Sequence, residues 1–134
     1  MDEFDKNVEV IALLHEDKDE VLSLQELRSE AGKDEEISAL RNQLLKGFPR
    51  SAKYCSELVK PYFHFNHELH EVDGLIIRGE QQVIVPATLR DQYLRLAHRT
   101  HHGIVRTKQL LRSLAWWPRM DKAVEDMVRE CAIC

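Results

Sequence analysis

No stretch of this 134-residue chain approaches the run of about 18 apolar residues that a membrane-spanning helix needs. A membrane protein is therefore not expected. A secretory leader is missing as well: the chain opens Met1-Asp2-Glu3-Phe4-Asp5, acidic where a leader carries a basic patch and an apolar segment. Cysteine is scarce, with three residues in all. Two of them stand as Cys-x2-Cys with matching histidines upstream, which points to metal in a reducing, intracellular compartment rather than to disulfides. Cys55, left over, reads as a buried or idle thiol. Glycine is scarce too, five residues, and none builds a phosphate-cradling loop. There is no nucleophile motif and no carboxylate triad on a visible scaffold. Catalysis within the chain has no support, no catalytic residue is assigned, and no small-molecule substrate is implied. Internal repeats and low-complexity segments are absent.

What is present is a globular composition, 43% hydrophobic and 31% charged, sized for one ordinary domain or two small ones. The net charge of −4 conceals a gradient. Residues 1–50 carry 13 acidic and 7 basic side chains, residues 51–97 are near neutral, and residues 98–134 carry 4 acidic and 7 basic. A basic C-terminal third can meet phosphate, although a solvated helix face explains a balance this small equally well.

Residues 1–20 read as a linker. Ser23-Leu24-Gln25-Glu26 has the pattern of a capping box, opening a helix that Gly32 is expected to end. Asp34 caps the next helix, where Ile37, Leu40, Leu44 and Leu45 form one apolar stripe, and Gly47 and Pro49 stop it. A short helical stretch over Tyr54–Val59 is expected to break at Pro61. Three strands follow, at Leu69–Val72, Leu75–Arg78 and Val83–Val85, with Asp73-Gly74 as a hairpin turn. Such a meander needs helices on one face, and those preceding it can supply them. Pro86 opens a helix with Leu89, Tyr93 and Leu96 on one face. After Gly103 come a helix burying Leu110, Leu111 and Leu114, a turn through Trp116-Trp117-Pro118-Arg119, and a helix burying Ala123, Val124, Met127 and Val128. The expected fold class is α+β: an N-terminal unit of helices and a three-stranded antiparallel meander over residues 21–86, then a helical unit with a helix-turn-helix over residues 87–134.

The chemistry concentrates in that second unit. His98, His101, Cys131 and Cys134 form His-x2-His-x29-Cys-x2-Cys. Two imidazoles and two thiolates select zinc, and four protein ligands leave no open position for water, so one structural zinc ion is expected rather than a catalytic one. A helical core this small is near the size at which a metal becomes necessary for folding.

Several segments together carry a resemblance: Leu96-Ala97-His98-Arg99-Thr100-His101-His102-Gly103-Ile104, Thr107-Lys108-Gln109-Leu110-Leu111-Arg112, Trp117-Pro118, and Val128-Arg129-Glu130-Cys131-Ala132-Ile133-Cys134. They resemble the His-His-Cys-Cys zinc domain at the N-terminus of integrases from gypsy-type LTR retrotransposons, relatives of retroviral integrases. Residues 21–86, including Val72-Asp73-Gly74-Leu75 and Ile84-Val85-Pro86, are similar to the extension that precedes it. In this family the second histidine stands two residues before the glycine, which selects His101, while His102 would give the three-residue spacing common in other zinc modules. The family's catalytic core with three carboxylates follows its zinc domain, whereas this chain stops at Cys134. The resemblance implies a non-catalytic integrase portion, acting in the nucleus, that self-associates and contacts the element's DNA ends. A domesticated protein-interaction module that kept the zinc fold without DNA binding is the alternative.

Arg106, Lys108, Arg112 and Arg119 are the candidate phosphate partners, Lys108 and Arg112 sharing one helix face. Trp116 and Trp117 could stack on bases, but beside Pro118 they are expected to cover the core. His64, His67 and His70 suggest a second metal site by spacing alone. Pro61 and the onset of a strand at Leu69 argue against one helix carrying all three, so exposed histidines are expected.

Overall fold

The computed structural model describes residues 24–99 and 103–132. Ser23, the linker over residues 1–20, and His101, His102 and Cys134 lie outside the described residues. Helix α1 (Leu24–Lys33) buries Leu27 and Ala31. It runs through Gly32 rather than ending there, because a glycine inside a helix costs only about 1 kcal/mol and the chain turns only where Asp34 starts the next helix. Asp34 Oδ1 accepts the Ile37 N–H at 2.8 Å, capping α2 (Glu35–Lys46). Ile37 and Leu40 are buried, but Leu45 is 82% exposed. Eight residues beyond Ile37, the helix has turned about 80° past two full turns, which takes Leu45 off the stripe. Gly47, at φ 86°, ends α2 by donating its N–H to the Gln43 carbonyl.

Pro61 opens a helix instead of breaking one. A 3-10 turn at Ala52–Tyr54 is followed by a 3-10 segment at Lys60–Glu68, kinked at Phe65. Pro61 sits in its first turn, where a missing N–H costs nothing. Tyr62 and Phe65 point into the core; His64, His67 and His70 are exposed.

Strands β1 (Leu69–Val72), β2 (Leu75–Arg78) and β3 (Gln82–Ile84) pair antiparallel in that order. Asp73 and Gly74 make the turn, at φ 54° and 87°. The sheet does not stop at three strands. Ala115–Trp116 form a fourth, β4, parallel to β3 with Val83 opposite Ala115 and Ile84 opposite Trp116. The sheet is thus four-stranded and mixed. The segment expected as a turn between the last two helices therefore begins as a strand. A parallel pair requires a crossover connection, here a 3-10 turn at Ala87–Leu89, α3 (Arg90–His98) and α4 (Ile104–Arg112). Helix α5 (Met120–Glu130) follows β4.

One buried cluster runs from Leu27 and Ile37 through Ile76 and Val83 to Leu111 and Val124. Each such side chain contributes about 1.5–3 kcal/mol on burial. Trp116 meets Phe65 and Tyr62 edge-on, with ring centroids 4.8 and 5.3 Å apart, and Trp117 is buried. Leu96, Leu110, Ala123 and Met127 are only half-buried. Polar contacts also cross residue 86. Asp34 Oδ2 accepts the Ala87 N–H at 2.8 Å, Glu30 accepts from the Thr88 hydroxyl at 2.8 Å, and Glu36, which also accepts from the Tyr62 hydroxyl within the N-terminal half, accepts from Arg90 at 2.8 Å. The bonds to Ala87, Thr88 and Arg90 fix the 3-10 turn and the start of α3 against α1 and α2. No helix among the described residues is long and apolar enough to cross a membrane.

Candidate metal centre

Helix α3 buries Tyr93 and Ala97, and the same face carries His98 inward at its C-terminal end. Only 7% of His98 is exposed, so its imidazole is turned into the protein. Helix α5 buries Met120, Val124 and Val128, a stripe whose continuation is Cys131. There the backbone leaves the helix for an extended conformation, and the Cys131 N–H donates to the Val128 carbonyl at 3.2 Å. His98 and Cys131 line one cleft, walled by Leu94, Ala123 and Met127, with Asp126 also in its lining.

Gly103, at φ 89° and ψ 177°, starts α4 from a conformation that only glycine adopts easily. It turns the chain from the end of α3 into the helix that packs on both α3 and α5. The first histidine and the first cysteine of the motif, 33 positions apart in sequence, are thereby brought to one place. Among the described residues no group of three or more His, Cys, Asp or Glu side chains is arranged to hold a metal, and the other expected ligands, His101 with its alternative His102, and Cys134, lie outside the described set.

A buried imidazole and a half-buried thiol facing the same cleft are a donor pair that suits zinc. When bound, zinc would act as a cross-link, tying the end of α3 to the end of α5. The chain's own contribution is to hold the two donors at helix termini whose inner faces are already packed.

The candidate phosphate partners are arranged unevenly. Lys108 is paired with Glu125 of α5 at 3.3 Å. Arg112 binds Asp121 through Nη2 at 2.5 Å and Nε at 3.1 Å, and this bonding raises its already high pKa further. Arg106 and Arg119 are exposed. The ion pairs of Lys108 and Arg112 join residues nine or more positions apart, beyond the reach of any helix-spacing argument.

Residues 85–134 match the family described as the integrase zinc binding domain, and this part of the chain belongs to that family. The chain is also 32% identical over 109 residues to the uncharacterized protein K02A2.6 of Caenorhabditis elegans, an alignment covering 81% of this chain and 8% of that protein. Being longer than the family match, the alignment reaches into the N-terminal half. The chain therefore spans a small fraction of that relative's length. No solved structure matches the chain.

Proposed function

We propose that this chain is the zinc-binding portion of a retrotransposon-type integrase, or of a host protein derived from one, supporting self-association and contact with the element's DNA ends in the nucleus. The integrase zinc-binding domain is non-catalytic by itself, so strand transfer belongs to another part of such an enzyme. The observation that carries the reading is that, within the family match, His98 and Cys131 face one cleft from two different helices. Elemental analysis of protein purified without chelator should return one zinc per chain. His98→Ala and Cys131→Ser should each lower that content sharply; full zinc retention in both variants would remove the basis of the reading.

A second reading, a protein-interaction module without DNA binding, draws support from the ion pairs that engage Lys108 and Arg112 with α5. Titration of a labelled duplex at several salt concentrations separates the two. Two or three phosphate contacts give a log–log salt slope of roughly −2 to −3. Absence of binding even at low salt favours the interaction module.

A further inference from the structure

A second cavity, of about 400 Å³, shares no lining residue with the metal cleft among the described residues. Arg78 of β2, Arg112 at the end of α4, Trp116, Trp117, and Arg119 and Asp121 at the start of α5 surround it. Arg78, far in sequence from Arg112 and Arg119, is thus brought together with them, so three guanidinium groups meet in one place. Among the described residues Asp121 is the only carboxylate in this lining, and Arg112 binds it through two nitrogens. That pair is close to neutral; Arg119 adds a charge with no counterion among the described residues, and Arg78 adds one that Glu68 meets only at 3.7 Å.

Among the described residues, both arginines keep donors that the protein does not fill. Arg78 stacks its guanidinium 3.8 Å above the Phe65 ring, its Glu68 partner is 3.7 Å away, and its buried Nε has no hydrogen-bond partner among the described residues. Among the described residues, the exposed side chain of Arg119 makes no ion pair or hydrogen bond. Its backbone lies at φ 65°, ψ 23°, a left-handed conformation that disfavours a side chain. Strain of this kind gathers at ligand sites. The same residue precedes the first turn of α5, which no side chain caps, so the positive end of that helix adds to the field.

We propose that this cavity is a phosphate-binding subsite in which Arg78 and Arg119 hold one phosphate group, that of a nucleic-acid backbone. The backbone as source rests on the function proposed above; the phosphate chemistry does not. A planar guanidinium fork presents paired donors to phosphate oxygens, and the stacking on Phe65 keeps the Arg78 fork in place before a ligand arrives.

Both tryptophans of the chain line the cavity, so intrinsic fluorescence reports its occupancy directly. The full chain is titrated with inorganic phosphate at constant ionic strength, and separately with a labelled duplex at several salt concentrations. Arg78→Gln and Arg119→Gly are compared with Lys46→Gln, which loses one charge at a residue outside the cavity. The expected result is a saturable change in tryptophan emission with phosphate that both cavity variants lose. Duplex binding should have its salt slope flattened by about 0.9 in each cavity variant and unchanged in Lys46→Gln. Arg119→Gly should retain or raise the melting temperature, which separates lost binding from lost folding. Duplex binding with unaltered slopes in both variants would overturn the subsite and leave the DNA reading standing. A phosphate response lost in both variants, without duplex binding by the native chain, would keep the subsite for free phosphate esters and remove the DNA reading. No phosphate response and no duplex binding would overturn both.

Discussion

Single side chains set the candidate metal centre. His98 is inward because it continues the face of α3 that buries Tyr93 and Ala97, and Cys131 because it continues the stripe of Val124 and Val128. That much was legible in sequence, where the ligand spacing falls at the ends of two apolar periodicities. The choice between His101 and His102 rests on spacing before Gly103, and His101→Ala should lose zinc while His102→Ala keeps it; the opposite outcome in elemental analysis reverses the assignment. A different residue-scale effect follows from the buried phenols. Burial raises the pKa of both Tyr62 and Tyr93, and the Glu36 carboxylate that accepts the Tyr62 hydrogen bond adds to the shift there. Their unfolded value is near 10. A folded pKa above the unfolded one gives stability that is whole below about pH 10 and declines as pH rises further. Alkaline titration followed by tyrosinate absorbance and circular dichroism should therefore show these two tyrosines ionising only as the fold opens. Ionisation of all three tyrosines ahead of any loss of ellipticity would refute this.

Elements with strong local signals were the readable ones. Asp73-Gly74 between alternating apolar residues located the β1–β2 hairpin, and Asp34 followed by an apolar stripe located α2. Strand β4 was not readable, since two residues carry no periodicity and its partner β3 lies some 30 positions earlier. The start of α3 was read from Pro86, yet its attachment to Glu30, Asp34 and Glu36 depends on contacts that no local pattern encodes. Asp34 is the most consequential of these, capping α2 with one oxygen and holding Ala87 with the other. Asp34→Ala should cost roughly 1–2 kcal/mol, with partial rescue by Asn, measured by denaturant midpoint; a loss no larger than a surface substitution would mean that neither bond contributes. Beyond β4, Arg119 holds a left-handed position at the start of α5. Arg119→Gly should stabilise by about 0.5–1 kcal/mol in the same measurement, and a destabilisation would show that its side chain has a structural partner.

Across the whole molecule, the question is whether the zinc-binding helices can loosen without the rest. The sequence alone suggests two units meeting near Pro86, each with its own core. Strand β4 ties them together, because the Leu114 and Trp116 carbonyls accept the Val83 and Val85 N–H groups at 2.9 and 3.1 Å. Trp116 also packs on Tyr62 and Phe65. Removing zinc would take away a cross-link between α3 and α5, and any displacement of α4 and α5 pulls on β4 from both sides. The cost of that displacement includes two buried donors left without acceptors, about 1–3 kcal/mol each. The β1–β2 hairpin is held differently, through Arg28 to Asp73 at 2.7 Å and Arg41 to Glu71, contacts that do not involve residues beyond 86. Chelation followed by amide exchange should therefore unprotect Val83 and Val85 together with α4 and α5, while Ile76 and Ile77 exchange more slowly. If Val83 stayed protected after α4 and α5 had exchanged, β4 would not be the coupling element, and the zinc unit would unfold on its own.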